Sequence, residues 1–363
     1  MTVLILFVDG LPYGQIGKTS YLQTLKGTSV RPGFGYSVNQ QAELFADSSP
    51  DDLGYFGEWT HILGTERSFP LSLLGSMRRV SPIVDRGVHY VLDRKLGIEC
   101  ANIPFGSLPL FERVGQYPLT DEFDEETVLD RYGVERIVPD FEPIPYDEKD
   151  KVATQRAVEV IRSGVGNLLV SLPGLDGTGH NHGVGSAEYD NRLREVDEHC
   201  RRIVSEFERV NQNPSVVIVS DHGMANANRT VDLGMEERFG PPTPESVVYF
   251  YDSLYLRCWV DDEADRREVE SYLESKNVGE VLEHSVREAN GVSNRAHGDV
   301  LFILDEGYSF APNYFGLQSM SAYHGYHPDN ESQQATFLHH GFTPRTEPNR
   351  LSDVYGILEA ELD

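Results

Sequence analysis

Lysine is scarce: only six of the 31 basic residues are lysine, at Lys18, Lys26, Lys95, Lys149, Lys151 and Lys276. Against 58 acids they leave a net charge of -27, and arginine supplies nearly all the positive charge. A chain so composed has no basic stripe for a nucleic-acid backbone, which excludes a DNA or RNA polymer as partner. A single nucleotide stays open, because divalent cations can hold its phosphates. The acid excess predicts a high-salt cytoplasm, where a Debye length of about 3 Å at molar salt lets such a surface tolerate its own repulsion.

Cysteine is equally sparse. Cys100, Cys200 and Cys258 are isolated and odd in number, which argues against a disulfide framework or a thiolate zinc site and leaves them as core thiols. Long apolar runs are missing too: none approaches the roughly 20 residues that cross a bilayer, so no membrane partner is expected. Residues 1–10 are apolar but lack a basic leading segment and a small-residue cleavage site, and read as a buried strand of a cytoplasmic protein.

What the chain does contain is a recurring pattern. Residues 3–9, 167–176 and 215–221 are continuous Val, Ile and Leu runs, each ending in an acid followed by Gly or His. Runs without alternation fit parallel strands covered on both faces, and in such sheets ligands gather at the carboxyl ends. Between the second and third, Tyr189, Leu193, Val196, Cys200, Ile203, Phe207 and Val210 recur at helical spacing, with Ser186 placed to cap the helix. A proline-rich turn, an alternating segment over 247–260 and a charged helix near 265–275 then interrupt the pattern. The expected organisation is an α/β core over 1–234 and 319–363 carrying a small inserted α+β cap over 235–318. Residues 60–152 give mixed signals.

The chemistry-bearing residues sit at the strand ends. Asp9 closes the first run, Asp176 and His180 follow the second in Asp-Gly-Thr-Gly-His, and Asp221 and His222 close the third in Ser-Asp-His-Gly-Met; His324 lies far downstream in His-Gly-Tyr. Carboxylates mixed with imidazoles suit zinc or manganese better than magnesium. If the strands are neighbours these groups converge, and there are enough of them for two divalent metals flanking a phosphate. The candidate nucleophile is Ser37, placed to cap a helix beginning Val38, Gln41, Ala42, Leu44 and Phe45, where the positive helix end favours an alkoxide and an anion. His182, His297, His327, His339 and His340 compete as ligands, each against a plainer reading as a surface or hydrogen-bonded core histidine.

Taken in order, these residues resemble the nucleotide pyrophosphatase and phosphodiesterase family of the alkaline phosphatase superfamily, over most of the chain; Ser-Asp-His-Gly-Met is the most specific motif. The resemblance implies an alkaline-phosphatase-like three-layer α/β/α sandwich on a mostly parallel sheet. It implies one zinc on Asp176, His180 and His324, and a second on Asp9, Ser37, Asp221 and His222. Two positions depart from the family. Many members use Thr where Ser37 stands, and Glu58 occupies the place of a phosphate-contacting Asn. A carboxylate there repels phosphate unless it is protonated or paired with a cation. The aromatic cluster Tyr36, Tyr55, Phe56 and Trp59 either stacks on a base or sugar or belongs to the core.

The leading expectation is hydrolysis of a small-molecule phosphodiester or pyrophosphate in two displacements through a phosphoserine on Ser37. A phosphoryl or phosphoethanolamine-type transferase and a phosphomonoesterase share the same site chemistry. A metal-binding protein without turnover, for which Glu58 is the main support, is the reading from another class.

Overall fold

The computed structural model describes residues 2–62, 102–120, 122–243, 246–315 and 320–363. Cys100, Lys95, Pro244 and residues 63–101 and 121 of the ambiguous 60–152 stretch lie outside the described residues.

The described chain divides into two compact units: 1–49, 116–226 and 320–363 form the first, and 50–115 with 227–319 the second. The first is built on β1 (Val3–Val8), β2 (Lys26–Val30), β3 (Glu135–Ile137), β4 (Leu168–Leu172), β5 (Ser215–Val219) and β6 (Ala335–His340). They lie in one sheet in the order β2-β6-β5-β1-β4-β3. β1 pairs in parallel with both β4 and β5, and β3 with β4, whereas β6 runs antiparallel to its two neighbours. The three acid-tipped runs are therefore the three central, adjacent strands, and their carboxyl ends share one edge.

Continuous apolar sequence is explained by the layers. One face of the sheet, with Leu4, Leu6, Leu168, Val170 and Val216, packs on α2 (Lys149–Arg162) and α4 (Ala187–Val210). The other, with Val3, Ile5, Phe7, Val217 and Phe337, packs on α1 (Ser37–Ala46) and α5 (Leu351–Leu362). This is a three-layer α/β/α sandwich in which every strand residue of β1 is buried. Helix α4 begins where Ser186 accepts from the Tyr189 amide, and its apolar stripe enters the first layer.

Two local readings change. Asp176 does not close β4; the strand stops at Leu172, and Asp176 sits in the first turn of helix α3 (Gly174–His182). The helical turn is what puts Asp176 and His180 on one face at four-residue spacing. Ser37 is not the cap of α1 but its first residue: Tyr36, extended at φ -125° and ψ 178°, occupies the cap position. The Ser37 hydroxyl is thereby released from capping.

The second unit is an antiparallel sheet in the order Val248–Asp252, Tyr255–Trp259, Val300–Leu304, Gly279–Val281, with helix Glu263–Glu274 beside it. Its core also takes Trp59, Ile103, Leu108, Leu110 and Phe111, and Trp59–His61 pairs with Phe111–Arg113. The described residues of 50–115, expected within the α/β core over 1–234, thus belong to the same unit as most of the segment expected as a cap. No helix among the described residues is long and apolar enough to cross a membrane.

Candidate functional site

The end of β1 turns at Gly10 in the left-handed region (φ +65°), and a Cβ there would lie 3.0 Å from the Asp176 Cβ and 3.1 Å from its Oδ1. Glycine is required at this position because the backbone after Asp9 passes directly against Asp176. From there the fold gathers two triads: Asp176, His180 and His324, and Asp9, Asp221 and His222, each with its ligand atoms within 4.8 Å of one another. His324 is brought in by a short antiparallel ladder, Ala322–Tyr323 on Ala225–Asn226, which anchors its loop to the segment after β5.

The donor atoms face inward with spacings suited to a tetrahedral ion, whose bond lengths of about 2.0–2.1 Å set ligand atoms about 3.3–3.4 Å apart. His222 Nε2 is 3.5 Å from both Asp9 Oδ1 and Asp221 Oδ2, and Ser37 Oγ is 3.0 Å from the same nitrogen. In the other triad Asp176 Oδ1 lies 3.3 Å from His180 Nε2 and 3.9 Å from His324 Nε2. The far ring nitrogens fix two tautomers: His222 Nδ1 donates to Gly223 O at 3.0 Å and His180 Nδ1 to Ala322 O at 2.8 Å, leaving each Nε2 with its lone pair pointing into the site. The His222 and His324 rings stack with centroids 3.6 Å apart and planes 4° apart.

The electrostatics call for a cation. Burial, then the carboxylates of Asp221, Asp176 and Asp140, push the Asp9 carboxyl well above its ordinary range. Burial raises Asp221 too, with His222 opposing and Asp176 assisting. Burial would also raise Asp176, but His180, His324 and His222 outweigh it and hold that carboxyl low. His324 is kept neutral, first by burial and then by His222. Asp9 Oδ1 and Asp176 Oδ1 are buried with no aligned hydrogen-bond donor. Three carboxylates gathered around three imidazoles, with two carboxylate oxygens buried and lacking a hydrogen-bond donor, are a donor set that fits divalent metal.

Some contributors carry no signal that the sequence makes readable. Gln41, one turn after Ser37, donates to Asp221 Oδ2 at 3.4 Å, and the Gly10 amide approaches Asp221 Oδ1 at 3.5 Å. Only the glycine is foreshadowed, by its place after a strand-end acid.

The remaining candidates divide between the two units. Tyr36 lies in the first unit with its ring edge-on to His324, centroids 6.2 Å apart. Glu58, Tyr55 and Trp59 belong to the second unit. There Glu58 pairs with Arg113 at 3.0 Å, and Tyr55 and Trp59 are 7% and 6% exposed, Trp59 within the apolar core. Fully buried Arg257 donates to the backbone oxygens of Phe56 and Trp59, tying this segment down.

None of the competing histidines enters either triad among the described residues. His182 is exposed, His339 Nδ1 contacts Phe342 O, and His340 pairs with Glu208. His327 receives the Asp329 amide. His297 is a buried core histidine of the second unit, with Nε2 3.0 Å from Asp51 Oδ1. Burial pushes its pKa down to about 4, against the pull of Asp51. The unfolded chain therefore binds the extra proton, and stability contributed above about pH 6.5 is lost as pH falls toward 4. Between pH 7 and pH 5 the urea-unfolding free energy of the wild type is expected to fall by about 2 kcal/mol more than that of His297→Gln. Parallel pH curves would contradict this.

A family profile described as type I phosphodiesterase / nucleotide pyrophosphatase matches residues 104–327, more than half of the chain. No curated protein sequence matches. By fold the chain is similar to murine ectonucleotide pyrophosphatase / phosphodiesterase 5, with a TM-score of 0.66 at 14% identity over 100% of this chain and 95% of that one. The human protein of the same name gives 0.65 at 14% over the same shares. An inactive variant of the murine protein in complex with AMP gives 0.64 at 15%, again over 100% and 95%.

Proposed function

Because this chain belongs to the type I phosphodiesterase / nucleotide pyrophosphatase family of the alkaline phosphatase superfamily and is a hydrolase acting on phosphoric ester bonds, we propose that Ser37 is its nucleophile and a small-molecule phosphodiester or pyrophosphate, such as a nucleotide or nucleotide-sugar, its substrate. The observation that carries this reading is the 3.0 Å approach of Ser37 Oγ to His222 Nε2 within the ring of inward-facing carboxylates and imidazoles.

Asp176, His180 and His324 would hold one divalent cation, and Asp9, Asp221, His222 and Ser37 a second, zinc or manganese by the mixture of oxygen and nitrogen donors. Such ions, when bound, supply the positive charge that neutralises a phosphate and favours the ionised serine.

The chain's own groups do the rest. Ser37 opens α1, so its oxygen sits at the positive helix end, which favours an anion there. In the metal-free chain the His222 Nε2 lone pair, left free by the Nδ1 bond to Gly223 O, accepts the Ser37 hydroxyl hydrogen bond, which holds Oγ beside the position where an ion would take that lone pair. Oγ gives up its proton to solvent and bonds to phosphorus as one ester oxygen leaves with its electron pair, giving a phosphoserine. Water then displaces Oγ, releasing the phosphate product and restoring the hydroxyl once a proton returns. The acid-rich surface suits a high-salt cytoplasm, and activity is expected to rise with added KCl.

The test compares bis-p-nitrophenyl phosphate with p-nitrophenyl phosphate in the presence of zinc or manganese. The diester is expected to show a kcat/KM at least about tenfold higher, the size of a difference of about 1.4 kcal/mol in transition-state binding. A preference for the monoester would overturn the phosphodiesterase reading while leaving the hydrolase in place.

A further inference from the structure

Helix α3 carries two of the proposed metal ligands, yet it starts at Pro173, which offers no side-chain cap. Its first amides are met from a distant segment. Asp150 Oδ1 accepts from the Gly174 amide at 2.9 Å, while the Tyr146 hydroxyl accepts from the Gly177 amide at 3.1 Å and donates to Pro173 O at 2.5 Å. These contacts bracket Asp176, one on the helix's first residue and the other on the residue directly after the ligand.

The approach is close enough to dictate sequence on both sides. A Cβ at Gly174 would lie 2.2 Å from Asp150 Oδ2, and one at Gly177 would lie 2.1 Å from Tyr146 Cε1. The glycines of Gly-Leu-Asp-Gly thus make room for the two side chains that hold the turn. Tyr146 is 40% exposed, its ring lying against Gly177. It is held by polar contacts and by Lys149, whose Nζ lies 5.3 Å from the ring centroid and donates to Asp140 O. Arg192 of α4 bonds Asp147 O at 3.3 Å and approaches Asp150 Oδ2 at 3.9 Å, so the segment is braced from behind.

We propose that Tyr146 and Asp150 are positioning residues for the cation site of Asp176, His180 and His324: by bridging the first turn of α3 they fix where the Asp176 carboxylate meets the two imidazoles. The inference rests on the proposed metal reading and adds the residues that set one of its two sites. Hydrogen-bonded supports of metal ligands typically change affinity by about 10–100-fold when removed. Because the bridge bonds the start of α3 and no residue of the Asp9, Asp221 and His222 triad, its loss acts on one site and spares the other.

The experiment is cobalt(II) titration of the whole metal-free chain, followed by visible absorption and calorimetry. Wild type is expected to bind two ions. Tyr146→Phe, which keeps the ring and deletes both hydroxyl bonds, is expected to keep one ion at wild-type affinity, to weaken the other about tenfold or more, and to shift the visible band of that ion alone. Gly177→Ala breaks the same contact from the helix side and is expected to give the same one-site loss, so the outcome does not hang on a single variant folding. Asp150→Asn, which preserves the acceptor for Gly174, is expected to bind both ions nearly as wild type does, while Asp150→Ala follows Tyr146→Phe. Two unperturbed sites in Tyr146→Phe and Gly177→Ala, or equal weakening of both sites, would overturn the positioning role alone. A wild type that binds no cobalt would overturn the metal reading beneath it.

Discussion

Replacing Ser37 with alanine is expected to lower kcat on a phosphodiester by roughly 10^4-fold, because the residue supplies the bond-forming oxygen and removing one member of a concerted nucleophilic unit disables the unit. The protein around it should survive. Ser37 caps nothing; its hydroxyl is committed to His222 Nε2, and the start of α1 is fixed instead by the Tyr36 carbonyl, which accepts from the Asn39 and Gln40 amides. The far-UV spectrum and melting temperature should therefore match the wild type. Ser37→Thr, which keeps a hydroxyl on the same backbone, should retain far more activity than the alanine variant. Steady-state rates on bis-p-nitrophenyl phosphate decide the matter, and an alanine variant within tenfold of the wild type would remove Ser37 from the chemistry.

Stripping divalent cations is expected to have a comparable effect on turnover and a separate one on stability. Chelation should abolish diester cleavage, and zinc or manganese should restore it. An ion that binds only the folded chain stabilises it by about 2.7 kcal/mol when present at a hundred times its Kd. Two ions should therefore raise the unfolding free energy by roughly twice that amount. The pH dependence has a definite sign. Burial and neighbouring acids raise Asp9 and Asp221 in the folded, metal-free chain, so it holds protons that the unfolded chain has already released, and it loses stability as pH rises through those raised values. Metal displaces these protons. The gap between chelated and zinc-loaded melting temperatures should thus widen from pH 5.5 to pH 8; a constant or shrinking gap would show that these carboxylates do not bind the ion.

The parts of the site that were legible in the sequence share one physical cause. Strands buried on both faces must be continuously apolar, so the acids ending β1 and β5 stand out, and parallel packing carries them to one sheet edge. Asp176 was legible as a ligand but not as a helical residue, since Pro173 and two glycines conceal a helix start that depends on Asp150 and Tyr146. The same holds for Gln41, whose tie to Asp221 spans 180 positions and leaves no local pattern. The described part of 60–115 gives mixed signals for a related reason: the short strands Trp59–His61 and Phe111–Arg113 reach their shared core by pairing across a long separation, so neither shows periodicity of its own. Ser37 was found by its place before an amphipathic helix, but its position as first residue rather than cap depends on the extended Tyr36 backbone, which propensity does not dictate.

Catalysis by this chain depends on two cations beside one serine. Crystals grown with zinc and measured at its absorption edge are predicted to show two anomalous peaks per chain, one enclosed by Asp176, His180 and His324, the other by Asp9, Asp221 and His222 with Ser37 Oγ against it. Peaks confined to surface histidines, or none within reach of Ser37, would contradict it.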